Sequence, residues 1–108
     1  MDNIYLDVKQ IDKDVIISLQ GHFEAATIVK LKNVVNNLLE EGKRDFVIDL
    51  KKVKSINSTA IGLLLTCLKA IKLKKGSLKL RNLESEIMRT FSIMGADKIF
   101  TIERDENV

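Results

Sequence analysis

Apolar and polar residues alternate along the first twenty positions. Ile4, Leu6 and Val8 alternate with Tyr5 and Asp7, and Val15, Ile17 and Leu19 alternate with Ile16, Ser18 and Gln20. A period of two puts each trio on one face of an extended chain. The polar stretch Lys9 to Asp14 between them reads as a hairpin connection, which makes the two strands antiparallel. Gly21 ends the second strand, and the period then lengthens. Ile28, Leu31, Val35 and Leu38 recur at helical spacing, widened by Val34 and Leu39, and predict an amphipathic helix that Gly42 stops. Phe46 to Leu50 is a short, mostly apolar run, as expected of a central strand covered on both faces.

Lys51 to Asn57 is polar apart from Val53 and Ile56 and reads as a loop. Ser58 and Thr59 open a second helix that runs to about Lys75 and is closed by Gly76. Ile61, Leu64, Leu65, Leu68 and Ile71 form its main apolar stripe, and Leu63, Cys67 and Ala70 form another. The main stripe, with Leu65 and Leu68, is expected against the sheet. Leu63 is expected to be partly exposed or at a partner surface. Leu78 and Leu80, alternating with Lys79 and Arg81, predict a fourth strand. Asn82 is placed to cap a third helix, with Glu84 and Glu86 near its positive end. That helix is expected to bury Ile87, Phe91 and Met94 and to end at Gly95. Lys98 to Ile102 predict the last strand, before a charged tail from Glu103.

The order β-β-α-β-α-β-α-β is that of an α/β domain with a mixed, mostly parallel sheet of about five strands, three main helices and right-handed crossovers. The 108 residues are expected to form one domain, 1–108. Apolar residues make up 45% and charged residues 31%, the balance of a globular chain. Met1-Asp2-Asn3 carries no basic segment leading into an apolar run, so no signal peptide is expected, and the apolar run from Ala60 to Ile71 is too short to span a membrane. A lone Cys fits a reducing cytoplasm.

Composition also narrows the chemistry. One Cys and one His exclude an internal disulfide and an ordinary structural zinc site. No glycine-rich phosphate loop is present, so no cofactor or metal is expected and the chain does not read as an enzyme. Cys67 reads as a packing residue and His22 as an exposed one. Asp49 lies in a strand, where a carboxylate is commonly solvated or paired with a cation. The net charge of +3 is small and its signs are interspersed. Lysines collect at 51, 52 and 54 and at 69, 72, 74 and 75, but without aromatic interleaving, so direct nucleic-acid binding is not expected. Ile56-Asn57-Ser58-Thr59-Ala60 delivers two hydroxyls to a helix start, which from the residues alone reads as a capping sequence.

The stretch from Phe46 to Gly62, FVIDLKKVKSINSTAIG, resembles the signature of the STAS family, the anti-sigma factor antagonists of bacteria. That signature is a hydrophobic strand ending in Asp-Leu, then Val and a hydrophobic residue, then Asp-Ser-[Ser/Thr]-[Gly/Ala]-[Ile/Leu]-Gly. Gly21-His22-Phe23-Glu24-Ala25 is similar to the family's Gly-x-[Leu/Ile]-Asp-Ala, and Phe91 to Phe100 is similar to its closing Leu-x-x-x-Gly-x-Asp-x-[Ile/Val]-Phe. The three pieces lie in register from about Ile4 to Ile102.

The resemblance implies a STAS-like fold and a protein-binding switch. It implies that Ser58 is phosphorylated by an anti-sigma factor that is also a serine kinase, and that the unphosphorylated form binds that partner. It places the partner face at His22, Phe23, Glu24, Asn57, Ser58, Thr59, Gly62 and Leu63. The alternative reading is a STAS scaffold or ligand-sensing module that acts through protein contacts without phosphorylation. Two positions depart from the family pattern: Asn57 stands where the family has Asp, and Glu24 replaces the helix-opening Asp.

Overall fold

A computed structural model describes residues 5–103. Ile4 and the charged tail beyond Glu103 lie outside the described residues. The strands are β1 (Tyr5–Ile11), β2 (Asp14–Phe23), β3 (Asp45–Ile56), β4 (Ser77–Arg81) and β5 (Thr101–Glu103). The helices are α1 (Ala25–Glu40), α2 (Ser58–Leu73) and α3 (Ser85–Ile93), with a 3₁₀ turn at Ala96–Lys98 before β5. The strands lie side by side in chain order in one sheet. β1 and β2 are antiparallel, and every later pair is parallel. The expected α/β architecture and element order are those observed.

Strand alternation divides the sheet into two unlike faces. Val15, Ile17 and Leu19 of β2, Phe46, Ile48 and Leu50 of β3, and Leu78 and Leu80 of β4 point into one core. Ile28, Leu31, Val35 and Leu39 of α1, Ile61, Leu64 and Ile71 of α2, and Ile87 and Phe91 of α3 complete that core. Successive right-handed crossovers stepping in one direction along a sheet put all their helices on the same side. The other face carries Lys9, Ser18, Gln20, Asp49, Lys51 and Lys79. Of its apolar members, Ile16 and Val47 are cross-strand partners and are only 9% and 6% exposed, while Ile11 at the end of β1 is 52% exposed.

Several boundaries differ from the sequence reading. The first hairpin turns on Asp12 and Lys13 alone, because β1 continues to Ile11 and β2 begins at Asp14. Asp12 takes the left-handed conformation (φ 55°) that a two-residue hairpin turn uses. β2 passes through Gly21 to Phe23, and β3 runs to Ile56 through the stretch that reads as a loop. The two extensions pair with each other, His22 beside Ser55 and Phe23 beside Ile56, so backbone pairing holds polar residues in a strand that their hydropathy does not predict. Lys98 belongs to the 3₁₀ turn, and the last strand starts at Thr101.

The second helix is rotated from its expected orientation. Its buried residues are Ala60, Ile61, Leu64, Cys67 and Ile71, while Leu65 and Leu68 are only half-buried. Helix α2 is apolar around most of its circumference, so periodicity does not choose which stripe faces the sheet. Cys67 is fully buried, and Leu63 is half-buried, as expected. On α3, Ile87 and Phe91 are buried but Met94 is 43% exposed, because the helix ends at Ile93 and Gly95 (φ 73°) turns the chain away. Phe91 instead meets Phe100 edge to face, with ring centroids 5.8 Å apart.

Candidate functional site

The start of α2 lies where the extended ends of β2 and β3 run side by side. Asn57 has extended backbone geometry (φ −112°, ψ 169°) and is the N-cap. Its Oδ1 accepts the Ala60 N–H at 2.7 Å, and its carbonyl accepts the Ile61 N–H at 3.1 Å. The cap therefore belongs to Asn57, leaving Ser58 as the first helical residue. Ser58 and Thr59 are exposed. Among the described residues the Ser58 hydroxyl has no hydrogen-bond partner. The N–H groups of Ser58 and Thr59 are the unpaired donors that every helix start presents, at its positive end.

His22 sits on the neighbouring strand. It is exposed, and its Nδ1 shares a hydrogen bond of 2.8 Å with the Ser55 Oγ. Below it, the Thr27 hydroxyl donates to the His22 carbonyl at 3.3 Å, which ties the first turn of α1 to the end of β2. Glu24 is exposed and is the N-cap of α1, without a side-chain cap bond. Phe23 does not lie on this surface, because its ring is 1% exposed and forms part of the core beneath it. Gly62 is exposed on the next turn of α2, and a Cβ there would meet nothing within 4 Å. Leu63 is half-buried beside it. The result is an exposed surface of His22, Glu24, Asn57, Ser58, Thr59 and Gly62 with the half-buried Leu63, over the buried Phe23.

Ser55 and Thr27 hold this surface together and were missed by sequence reasoning. Ser55 would have been found had the segment from Lys51 been read as strand, which sets it beside His22. Asp49 and Asn82 make a second polar cluster, on the helix-free face. The Asp49 carboxylate accepts the Lys51 N–H at 2.9 Å, the Arg81 Nε–H at 3.1 Å and the Asn82 amide at 3.2 Å. Burial pushes the Asp49 pKa up, but the Lys51 N–H, the Asn82 amide and Arg81 outweigh it and hold the pKa below 3.8. Asn82 is thus bound to Asp49, in a left-handed conformation (φ 61°), and does not cap α3, whose N-cap is Glu84. Burial drives the Cys67 thiol up to about 11 despite Lys32, so Cys67 stays protonated and unreactive at neutral pH. No cluster of three His, Cys, Asp or Glu suited to a metal occurs among the described residues. No helix there is long and apolar enough to cross a membrane.

The STAS domain signature matches residues 5–107. The chain belongs to the STAS domain family. This STAS domain is 35% identical over 100 residues to the anti-sigma-B factor antagonist of Bacillus subtilis (strain 168), across 93% of this chain and 91% of that protein. Its fold is similar to that of an anti-sigma factor antagonist from Mycobacterium paratuberculosis, with a TM-score of 0.82, 19% identity, and coverage of 97% and 89%. It is also similar to the Bacillus cell fate determinant SpoIIAA in its phosphorylated form, with a TM-score of 0.71, 14% identity and 95% of each chain covered. At these identities the two solved structures bear on the STAS fold alone.

Proposed function

We propose that this single STAS domain is an anti-sigma factor antagonist, a cytoplasmic protein-binding regulator and not an enzyme, whose partner is an anti-sigma factor with serine-kinase activity. The partner docks on the surface around the start of α2, and phosphorylation of Ser58 turns binding off. The observation that carries this reading is the Ser58 hydroxyl, which is exposed, free of hydrogen bonds among the described residues and set at the first helical position because Asn57 takes over the cap. The name of the Bacillus subtilis relative points to the same role.

A phosphate on Ser58 would add about −1.5 to −2 charges at pH 7. It would stand at the positive end of α2, beside the unpaired N–H groups of Ser58 and Thr59, where an anion is favoured. Phosphorylation therefore leaves the helix intact and acts at the interface, where a dianion must be desolvated inside a packed contact. Asn57 contributes no negative charge against that phosphate, whereas the family's Asp would. The same substitution favours a second reading, a STAS scaffold that binds without being phosphorylated, if the kinase requires the carboxylate.

The test is incubation with the anti-sigma kinase and ATP, followed by mass spectrometry and a binding titration. Phosphate on Ser58 is expected, with Ser58→Ala binding but unmodified. Ser58→Asp should keep its circular dichroism spectrum and bind at least about tenfold more weakly, about 1.4 kcal/mol. Equal affinity of wild type and Ser58→Asp, with no phosphate gained, would leave the scaffold reading.

A further inference from the structure

We propose that β1 is a self-pairing edge, through which two copies of this chain join their sheets antiparallel about a two-fold axis at Val8. Among the described residues β1 ends the sheet, with β2 as its only strand neighbour. The two-residue turn makes Ile11 and Asp14 a hydrogen-bonded pair, and the alternation of an antiparallel ladder then assigns the backbone groups of Asp7 and Lys9 to β2 as well. Leu6, Val8 and Gln10 direct their N–H and C=O groups to the free edge. This is the row of unpaired groups that makes an edge strand a template for pairing.

The side chains select both the partner and the register. Val8 is 42% exposed and Leu6 half-buried, on the helix-side face, while Asp7 and Lys9 are exposed on the other face. Neither Asp7 nor Lys9 has an ion-pair partner among the described residues. A two-fold axis at Val8 sets Val8 beside its copy and Leu6 beside Gln10 of the other chain, both as hydrogen-bonded pairs. The same register sets Asp7 directly opposite Lys9, twice. Sliding the pairing by two residues in either direction sets Asp7 against Asp7 or Lys9 against Lys9, and like charges directly opposite oppose pairing. The strand is thus complementary to itself in one register. Ser58 follows β3 and is separated from this edge by β2.

Sedimentation equilibrium of the full chain tests this. Wild type should show a mass that rises with concentration toward twice 12.2 kDa. Asp7→Lys and Lys9→Asp each replace two attractive pairs by two repulsive ones, at exposed positions outside the core, and each should weaken association about tenfold. The double variant Asp7→Lys/Lys9→Asp restores opposite charges in the same register and should regain the dimer. A wild type that remains monomeric into the millimolar range overturns the proposal. So do single reversals without effect, or a double variant that stays monomeric. None of these readouts involves the kinase or Ser58.

Discussion

Replacing Gly62 by Ala should move stability and partner binding in opposite directions. Gly62 lies inside α2 with a helical backbone, and a Cβ there would meet nothing within 4 Å. No packing among the described residues requires a glycine at this position. A glycine in a helix interior costs roughly 0.5–1 kcal/mol relative to alanine. Gly62→Ala should therefore stabilise the fold by about that amount, which for a domain of this size raises the melting temperature by roughly 2–8 °C. The added methyl stands one turn beyond Ser58, on the surface assigned to the partner. A methyl forced into a close-packed contact costs about 1–3 kcal/mol, or roughly 5- to 150-fold in affinity. Thermal unfolding followed by circular dichroism, with a titration against the anti-sigma partner, measures both. Gly76 provides a contrast, since a Cβ there would run into the Arg44 carbonyl oxygen, and Gly76→Ala should destabilise by about 1–3 kcal/mol. A destabilised Gly62→Ala would refute the open helical environment. Unchanged affinity would refute the close approach of a partner at this turn.

Four further outcomes are expected. Asp49→Ala should cost about 1.5–3 kcal/mol, because it strips three donors of a charged acceptor. Since the folded pKa of Asp49 lies below its ordinary value, its contribution is complete above the unfolded value and lost as pH falls through the folded one, so the gap between the denaturation midpoints of wild type and Asp49→Asn should shrink as the pH is lowered through the acid range. The Cys67 thiol, raised to about 11, should resist a thiol reagent at pH 8 in the native state and react once urea unfolds the chain. Leu64→Ala should cost about 2–5 kcal/mol and Leu68→Ala distinctly less, since Leu64 is fully buried and Leu68 is half-buried; equal urea midpoints would refute the observed rotation of α2.

The sequence alone determined every element whose residues carry a single period. Val15, Ile17 and Leu19, like Leu78 and Leu80, alternate, so their inward sides follow from local pattern, and the apolar run Phe46 to Leu50 marks a central strand. The expected cover on both faces did not follow, because the helices lie on one side and Val47 on the other pairs with Ile16. The stripe of α1 and the capping chemistry of Asn57 are local in the same sense. Where two faces or two conformations were locally equivalent, the tertiary structure decided. Helix α2 is apolar nearly all round, and only its packing against the sheet and α1 selected Cys67 over Leu65 and Leu68 for the core. The stretch from Lys51 to Ile56 is too polar to read as strand and became one because the end of β2 offered it backbone partners. Asn82 suits a helix cap as well as a carboxylate partner, and the pairing of β3 with β4 set it beside Asp49. The His22–Ser55 contact joins residues on strands that only the sheet brings together. Hydropathy records what a residue prefers toward water. Which neighbour fills a hydrogen bond or a cavity depends on segments far apart in the chain, and that was settled only when the sheet assembled.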